Sequence, residues 1–514
     1  MRIVKLESRA APQTIQPFRF AKQLLLGLGL HPAHSPLGAH LGKSHRQHFA
    51  AKARTGDSAM TTAWFSRRSR VGVLVATAVL LWLGFSAPQA RAQAPDDLWS
   101  IDYYKQLADA NSPATIPPGT KITLQNWKQY RQFMPYWLQA AYAGKFHFKV
   151  GPGPEYTVDV EAAQNYPLPR QWREDGEKYG SQVRLEKNAR GGWLMKGWVA
   201  GPPFPHPSGP NQGIEGVYDV WCPFRPFVIH YNTTGWLIDR FGNKTSNNAD
   251  VTFYEVSHLS EPGMPVNLPY GKGFFYAARF LVLTPEQSKY TTALQIQPDD
   301  PALVPNNYVF LPSLRRSLRL SSAARCAPIN GSDAVNDDNV WNQPNYKTTL
   351  VGTKKLLINV QDPAKAYDPH SYVGIADSEA GDFPDWPKAG TGHWELHNVD
   401  VIDLQWLPTL GSYCFSHRMF YFDRDTMNIF TAENWDNNQK LWKMLWEKYA
   451  PLKIHGEATL SALDGIAASS QLDWQNGHIT AGTDELPTID NDVPGEYRDA
   501  ESMTSPGSLA RIMK

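Results

Sequence analysis

His393-Trp394-Glu395-Leu396-His397 sets two imidazoles and a carboxylate at alternate positions. On a strand such residues leave one face, roughly 6–7 Å apart, and that donor set suits zinc with an open coordination position. A metal-dependent enzyme built on His393, Glu395 and His397 is one reading; a solvated or hydrogen-bonded strand face is the other, and it is preferred. Asp333, Asp337 and Asp338, within Asn330-Gly-Ser-Asp-Ala-Val-Asn-Asp-Asp-Asn, offer oxygens to calcium. Their spacing is not that of an EF-hand loop, and any turn draws on Asn, Asp and Gly. The chain has no Gly-x-Ser-x-Gly elbow, no haem-attachment motif and no paired Cys-x-x-Cys. No catalytic residues and no cofactor are therefore expected.

Binding is the alternative to catalysis. Aromatic residues recur on segments that read as strands, among them Trp221, Phe224, Tyr231, Trp236, Phe274, Phe275, Tyr276, Phe280 and Phe310. Trp221, Tyr231, Trp236, Phe275, Phe280 and Phe310 are the nominated lining of a site for a lipid or another hydrophobic small molecule, because apolar surface leaves water with a gain of about 25 cal/mol per Å². Ordinary core packing is the competing reading for each ring. A scaffold whose exposed aromatics form an interface is a third.

Eighteen Trp, with 40 Pro and 38 Gly, suit many strands joined by turns. Leu124–Ala143 has helical spacing interrupted by Pro135 and predicts two short helices. Phe146, Phe148 and Val150 alternate as on a strand, and Phe274–Leu283, Leu294–Gln297 and Tyr308–Leu311 read as further strands. Val228–Arg240 reads as two strands about a turn at Asn232–Gly235. Ser313–Leu320 reads as one strand, with Leu314, Leu318 and Leu320 on its buried side. Hairpin turns fall at Asp423–Thr426, Asp436–Gln439 and Asn476-Gly477. Residues 483–503 read as a loose acidic linker before a short helix that Pro506 begins. The expected fold is mainly β, a meander of antiparallel strands with a few short helices.

Residues 60–92 form a secretory leader: a basic start, an apolar run from Val71 to Phe85, then Ala90-Arg91-Ala92. Residues 1–59 read as a disordered extension or a misassigned start, and 93–482 as one β domain. Gln93, not cysteine, follows the cleavage site, which argues against a lipid anchor. The expected location is the periplasm, with an outer-membrane association. Residues 1–92 hold 13 of the basic and 2 of the acidic groups, so the remainder has 37 positive against 47 negative and a formal charge near −10. Nucleic acid needs a basic footprint and is not an expected partner. Cys222, Cys326 and Cys414 allow one disulfide, and their spacing does not say which pair forms it.

Four motifs together resemble the bacterial domain-of-unknown-function 1329 family, whose members are often described as outer-membrane lipoprotein-sorting-like. They are Gly201-Pro-Pro-Phe-Pro-His-Pro, Tyr308-Val-Phe-Leu-Pro-Ser-Leu-Arg-Arg-Ser-Leu-Arg, Trp394-Glu-Leu-His, and Arg418-Met-Phe-Tyr-Phe-Asp with Trp435-Asp-Asn-Asn-Gln-Lys-Leu-Trp. His393 stands where the family usually has Arg, and Asn438 sits close to an expected Gly. The resemblance implies a curved antiparallel half-barrel, like that of periplasmic lipoprotein carriers, closed by helices over a hydrophobic cavity. It also implies a non-catalytic carrier of lipid in envelope transport, with an inner-membrane transporter and an outer-membrane protein as partners.

Overall fold

The computed structural model describes residues 115–143, 157–241, 243–271, 273–320, 326, 332–335, 343–360, 393–457 and 460–513. Fourteen strands join one sheet. In chain order they are β1 (Val228–Ile238), β2 (Lys244–Glu255), β3 (Phe274–Thr284), β4 (Thr292–Pro298), β5 (Asn306–Leu311), β6 (Arg316–Arg319) and β7 (Tyr346–Val360). There follow β8 (His393–Trp406), β9 (His417–Asp423), β10 (Asn428–Trp435), β11 (Leu441–Lys453), β12 (Leu460–Asp473), β13 (His478–Asp484) and β14 (Thr488–Ile489). Among the described residues four α-helices accompany them: α1 (Tyr136–Tyr142), α2 (Arg170–Tyr179), α3 (Gln212–Trp221) and α4 (Ala500–Met503).

The sheet runs β6-β5-β4-β3-β2-β1-β13-β12-β11-β7-β8-β9-β10, β14 adds to β1, and β10 turns back to pair with β11. Its strands pair antiparallel except at one parallel bridge, Val360 with Tyr449, and Val160 adds a parallel bridge to Trp394 of β8 from outside the named strands. Register shifts at Asn248/Ala249, Phe274/Tyr276, Leu350/Gly352 and Tyr421/Phe422 set two residues against one, as β-bulges do. Each bends its strand, so the sheet curves. It does not close, and among the described residues β6 stands at its edge. The architecture is thus the mainly β, curved antiparallel sheet with few short helices that the sequence implies.

Period-two alternation assigns the apolar side chains to two cores. Val401, Met419, Tyr421, Met444 and Trp446 enter the first, while Ile402, Phe420, Phe422 and Leu445 enter the second. Residues adjacent in sequence thereby reach opposite faces of the sheet. Trp137 and Leu138 of α1 cover the first face, and Tyr218 and Trp221 of α3 cover the second. Pro135 directly precedes α1, where its missing N–H is not needed and its carbonyl accepts from Gln139 N at 3.3 Å. The sequence 124–143 accordingly gives two 3₁₀ turns and then α1, packed as core. Buried Glu433 fixes this cover: its carboxylate accepts from Trp137 N at 3.0 Å and from the Tyr421 hydroxyl at 2.8 Å. A carboxylate at a helix N-terminus meets unpaired N–H groups and the positive end of the helix dipole.

Several expectations change. Val228–Ile238 is one uninterrupted strand, because β2 pairs with it along its whole length. Its turn falls later, where Asp239 accepts from the N–H groups of Phe241 and Asn243. Ser313–Leu320 is broken by a 3₁₀ turn and by Arg315 at φ 49°, leaving Leu314 and Leu320 exposed at 54% and 39%. Residues 483–503 are packed: β14 pairs with β1, Val493 and Ala500 are buried, and Tyr497 stacks on His230 with centroids 4.0 Å apart. Cys326 is bonded to Cys414, and Cys222 is free and buried. The leader, the segment 144–150, Asp337 and Asp338 lie outside the described residues.

Trp137 and Trp446 meet edge to face with centroids 6.3 Å apart, both fully buried. Trp446→Ala removes that contact and opens a void, and is expected to cost about 3–5 kcal/mol. Urea unfolding followed by circular dichroism measures the loss.

Candidate functional site

A cavity of about 340 Å³ opens where five connecting segments converge. They are the start of α2 (Pro169, Gln171), the link from α3 into β1 (Phe224, Phe227, Val228), the loop after β2 (Ser260–Met264), the turn after β11 (Ile454–Glu457) and the tail (Asp490, Asn491, Arg498). Pro169, Phe224, Val228, Ser260 and Ile454 are buried and form a largely apolar floor; Pro262, His455, Asn491 and Arg498 are exposed at the rim. The volume lies within the roughly 300–1,000 Å³ usual for small-molecule sites.

Local hydrogen bonds hold these segments. Glu457 accepts from Arg170 N at 2.7 Å and so caps α2. Ser260 accepts from Gly201 N at 3.1 Å, joining the loop after β2 to the proline-rich segment. Glu261 accepts from Phe227 N where the chain enters β1. On the far side, β14 sets Ile489 against Ile229, and Asp490 at φ 50° turns the tail away beside Val228. A left-handed non-glycine residue is strained and persists only where its surroundings hold it.

That turn brings Asp490 next to Glu261. Burial, reinforced by the Asp490 charge, pushes the Glu261 carboxyl up to about 8, against the Phe227 N–H that favours its ionised form. Asp490 is raised as well, first by burial. Two neighbouring carboxyls that resist ionising together share a proton at neutral pH. The cavity wall thus carries a carboxylic acid donor beside a carboxylate acceptor.

A second polar cluster lies inside the sheet. His397 on β8 has Nδ1 2.9 Å from Asp423 Oδ2 on β9 and Nε2 2.9 Å from Glu395 Oε2, with all three residues buried. Burial opposes a charge on the ring, but the Asp423 charge and the hydrogen bonds to Asp423 and Glu395 outweigh it and raise the imidazole to about 10. Glu395 also accepts from Gln164 N at 3.0 Å, which ties the chain ahead of α2 to β8.

The family model described as a protein of unknown function, DUF1329, matches residues 121–503. The chain belongs to the DUF1329 family. A comparison with curated proteins gives no match. Among solved structures, a DUF1329 family protein from Desulfovibrio piger is similar at 12% identity and TM-score 0.39, covering 57% of this chain and 98% of that one. A putative outer membrane lipoprotein-sorting protein domain from Vibrio parahaemolyticus is similar at 12% identity and TM-score 0.35, covering 54% and 92%. A LolA superfamily protein from Nitrosomonas europaea follows at 12% identity and TM-score 0.31, covering 56% and 97%.

In this DUF1329 chain the nominated residues divide among separate clusters. Trp221, Tyr231, Phe275 and Phe280 pack together in the second core, Trp236 belongs to the first, and Phe310 sits with Leu294 and Leu509 in a small third one. None of these six lines the cavity, although Phe224 does. Of the zinc candidates, Glu395 and His397 come together but bond directly to each other; His393 opens β8, paired with Val360. Asp333 Oδ2 accepts from Thr480 Oγ1 at 2.8 Å and lies 2.7 Å from His478 Nδ1, while Asp337 and Asp338, the other oxygens of that set, lie outside the described residues. Phe227, Met264, Ile454, Glu261 and Asp490 escape sequence reading because they sit at element ends, where periodicity carries no information. The turn signal of Glu261-Pro262-Gly263 was the available clue.

A carboxyl that titrates near 4.5 when unfolded and at about 8 when folded keeps a proton that the unfolded chain has lost between those values. Stability contributed by Glu261 therefore falls as pH rises through that window. Glu261→Gln is expected to flatten this decline, so that its urea midpoint relative to wild type is higher at pH 8 than at pH 5.

Proposed function

We propose that this protein is a periplasmic carrier for a lipid or another hydrophobic ligand, which it holds in the cavity floored by Phe224, Val228 and Ile454. The observation that carries this reading is the cavity itself, an apolar floor beneath a polar rim at one end of a curved sheet. An alkyl chain buried there gains about 0.8 kcal/mol per methylene, while its polar end stays at the rim. The periplasmic setting is supported by the leader at 60–92 and by the Cys326–Cys414 disulfide, a bond that persists in oxidising compartments. Release follows when a membrane or a partner protein competes for the ligand and favours an open arrangement of the loops. An inner-membrane transporter and an outer-membrane protein are the partners that fit such a role.

Native mass spectrometry of protein isolated from the periplasm, followed by solvent extraction, is expected to reveal a bound lipid. A fluorescent alkyl-chain probe is expected to bind saturably, and Met264→Trp, which fills the cavity from a half-buried position, to weaken it about tenfold or more. Absence of both extracted lipid and saturable probe binding overturns the proposal, as does undiminished binding by Met264→Trp.

A further inference from the structure

The His397 cluster has a third carboxylate within reach. Asp425, in the turn between β9 and β10, is exposed, and one ligand atom from each of His397, Asp423 and Asp425 lies within 4.8 Å of the others. We propose that these three residues hold a divalent transition-metal ion, with Glu395 as the carboxylate that orients the imidazole.

The donor geometry carries this assignment. A metal-binding histidine commonly donates its second ring N–H to a carboxylate, which fixes the tautomer and raises the basicity of the ligating nitrogen. Glu395 Oε2 stands 2.9 Å from His397 Nε2 and fills that role. Nδ1 faces Asp423 at 2.9 Å, so the ion takes the place of the proton shared there. Asp423 is held in position from its own turn, accepting from Asp425 N at 3.0 Å and Thr426 Oγ1 at 2.7 Å. Asp425 faces water and leaves a way in for the ion.

Charge points the same way. Glu395, Asp423 and Asp425 surround one imidazole, and Asp400 adds a further buried carboxylate on β8. Arg424, exposed in the same turn, has its Nε 4.0 Å from Asp400 Oδ2. Three carboxylates exceed the single charge an imidazolium supplies, and a divalent ion offsets more of that excess. One nitrogen with carboxylate oxygens suits zinc or manganese, and three protein ligands with water complete a zinc shell.

This site differs from the zinc set suggested by the His393–His397 spacing. Glu395 moves from ligand to orienting group, and the other ligands come from the neighbouring strand and its turn. The ion would cross-link β8, β9 and the β9–β10 turn, independently of what the cavity binds.

The test uses the whole protein, stripped with chelator, dialysed and titrated with Zn²⁺ and with Mn²⁺ by calorimetry, with elemental analysis for stoichiometry. One ion per chain is expected, with Asp425→Asn weakening it about tenfold or more while the circular dichroism spectrum is unchanged. Asp436→Asn, a half-buried aspartate in the following hairpin turn, is expected to leave binding as it was. Absence of stoichiometric binding of either ion overturns the proposal, as does an equal effect of Asp425→Asn and Asp436→Asn. His397→Gln, which keeps a polar side chain but loses the imidazole, is expected to abolish binding; retained binding also overturns it.

Discussion

Pairing of β13 with β1 is the constraint on which the rest of the structure depends. Ile479 to Asp484 align with Ile238 to Thr233, and Thr233 Oγ1 adds a side-chain hydrogen bond to Thr483 O across 250 residues of chain. That one ladder joins the meander β1–β6 to the strands β7–β12 and makes a single sheet of them. It also delivers the tail to β14, and β14 sets Asp490 beside Glu261. A contact of such sequence separation carries a large loop-closure entropy, so it forms only when the packing it completes is extensive.

Extensive packing is what the two-faced sheet provides. Strand β10 is buried at every position, because α1 and its neighbours cover one side while the second core fills the other. Several charged groups within this interior are matched by partners. Glu433 meets the N-terminus of α1, Arg225 meets Glu255 at 3.2 Å, and His397 lies between two carboxylates. A buried charge without a partner is strongly destabilising, so each of these pairs also fixes the register of the elements that bring it together.

The cavity belongs to a different physical regime. Side chains on strand faces interdigitate closely and leave little void, which is why Trp221, Tyr231, Phe275 and Phe280 share one packed core. Space opens where strands end and loops of unequal length meet, and there binding residues are presented by a rigid scaffold. The Glu261–Asp490 pair at that wall is tolerated because a shared proton limits its charge and the Phe227 N–H stabilises the charge that remains.

The amino-acid sequence by itself determined the class of fold, the hairpins and the family. Alternation along Met419–Phe422 and the turn residues at Asp423–Thr426, Asp436–Gln439 and Asn476-Gly477 act over a few residues, and local sterics suffice to enforce them. Glu395 and His397 on one strand face were legible for the same reason. Only the tertiary structure decided what those side chains meet: Asp423 lies 26 residues beyond His397, and a strand pairing brings it within 2.9 Å. Likewise, which of Cys222, Cys326 and Cys414 join, whether Tyr231 is core or lining, and where the cavity lies depend on contacts between distant segments. Side-chain type and period state which face a residue takes; what covers that face is set by chain topology.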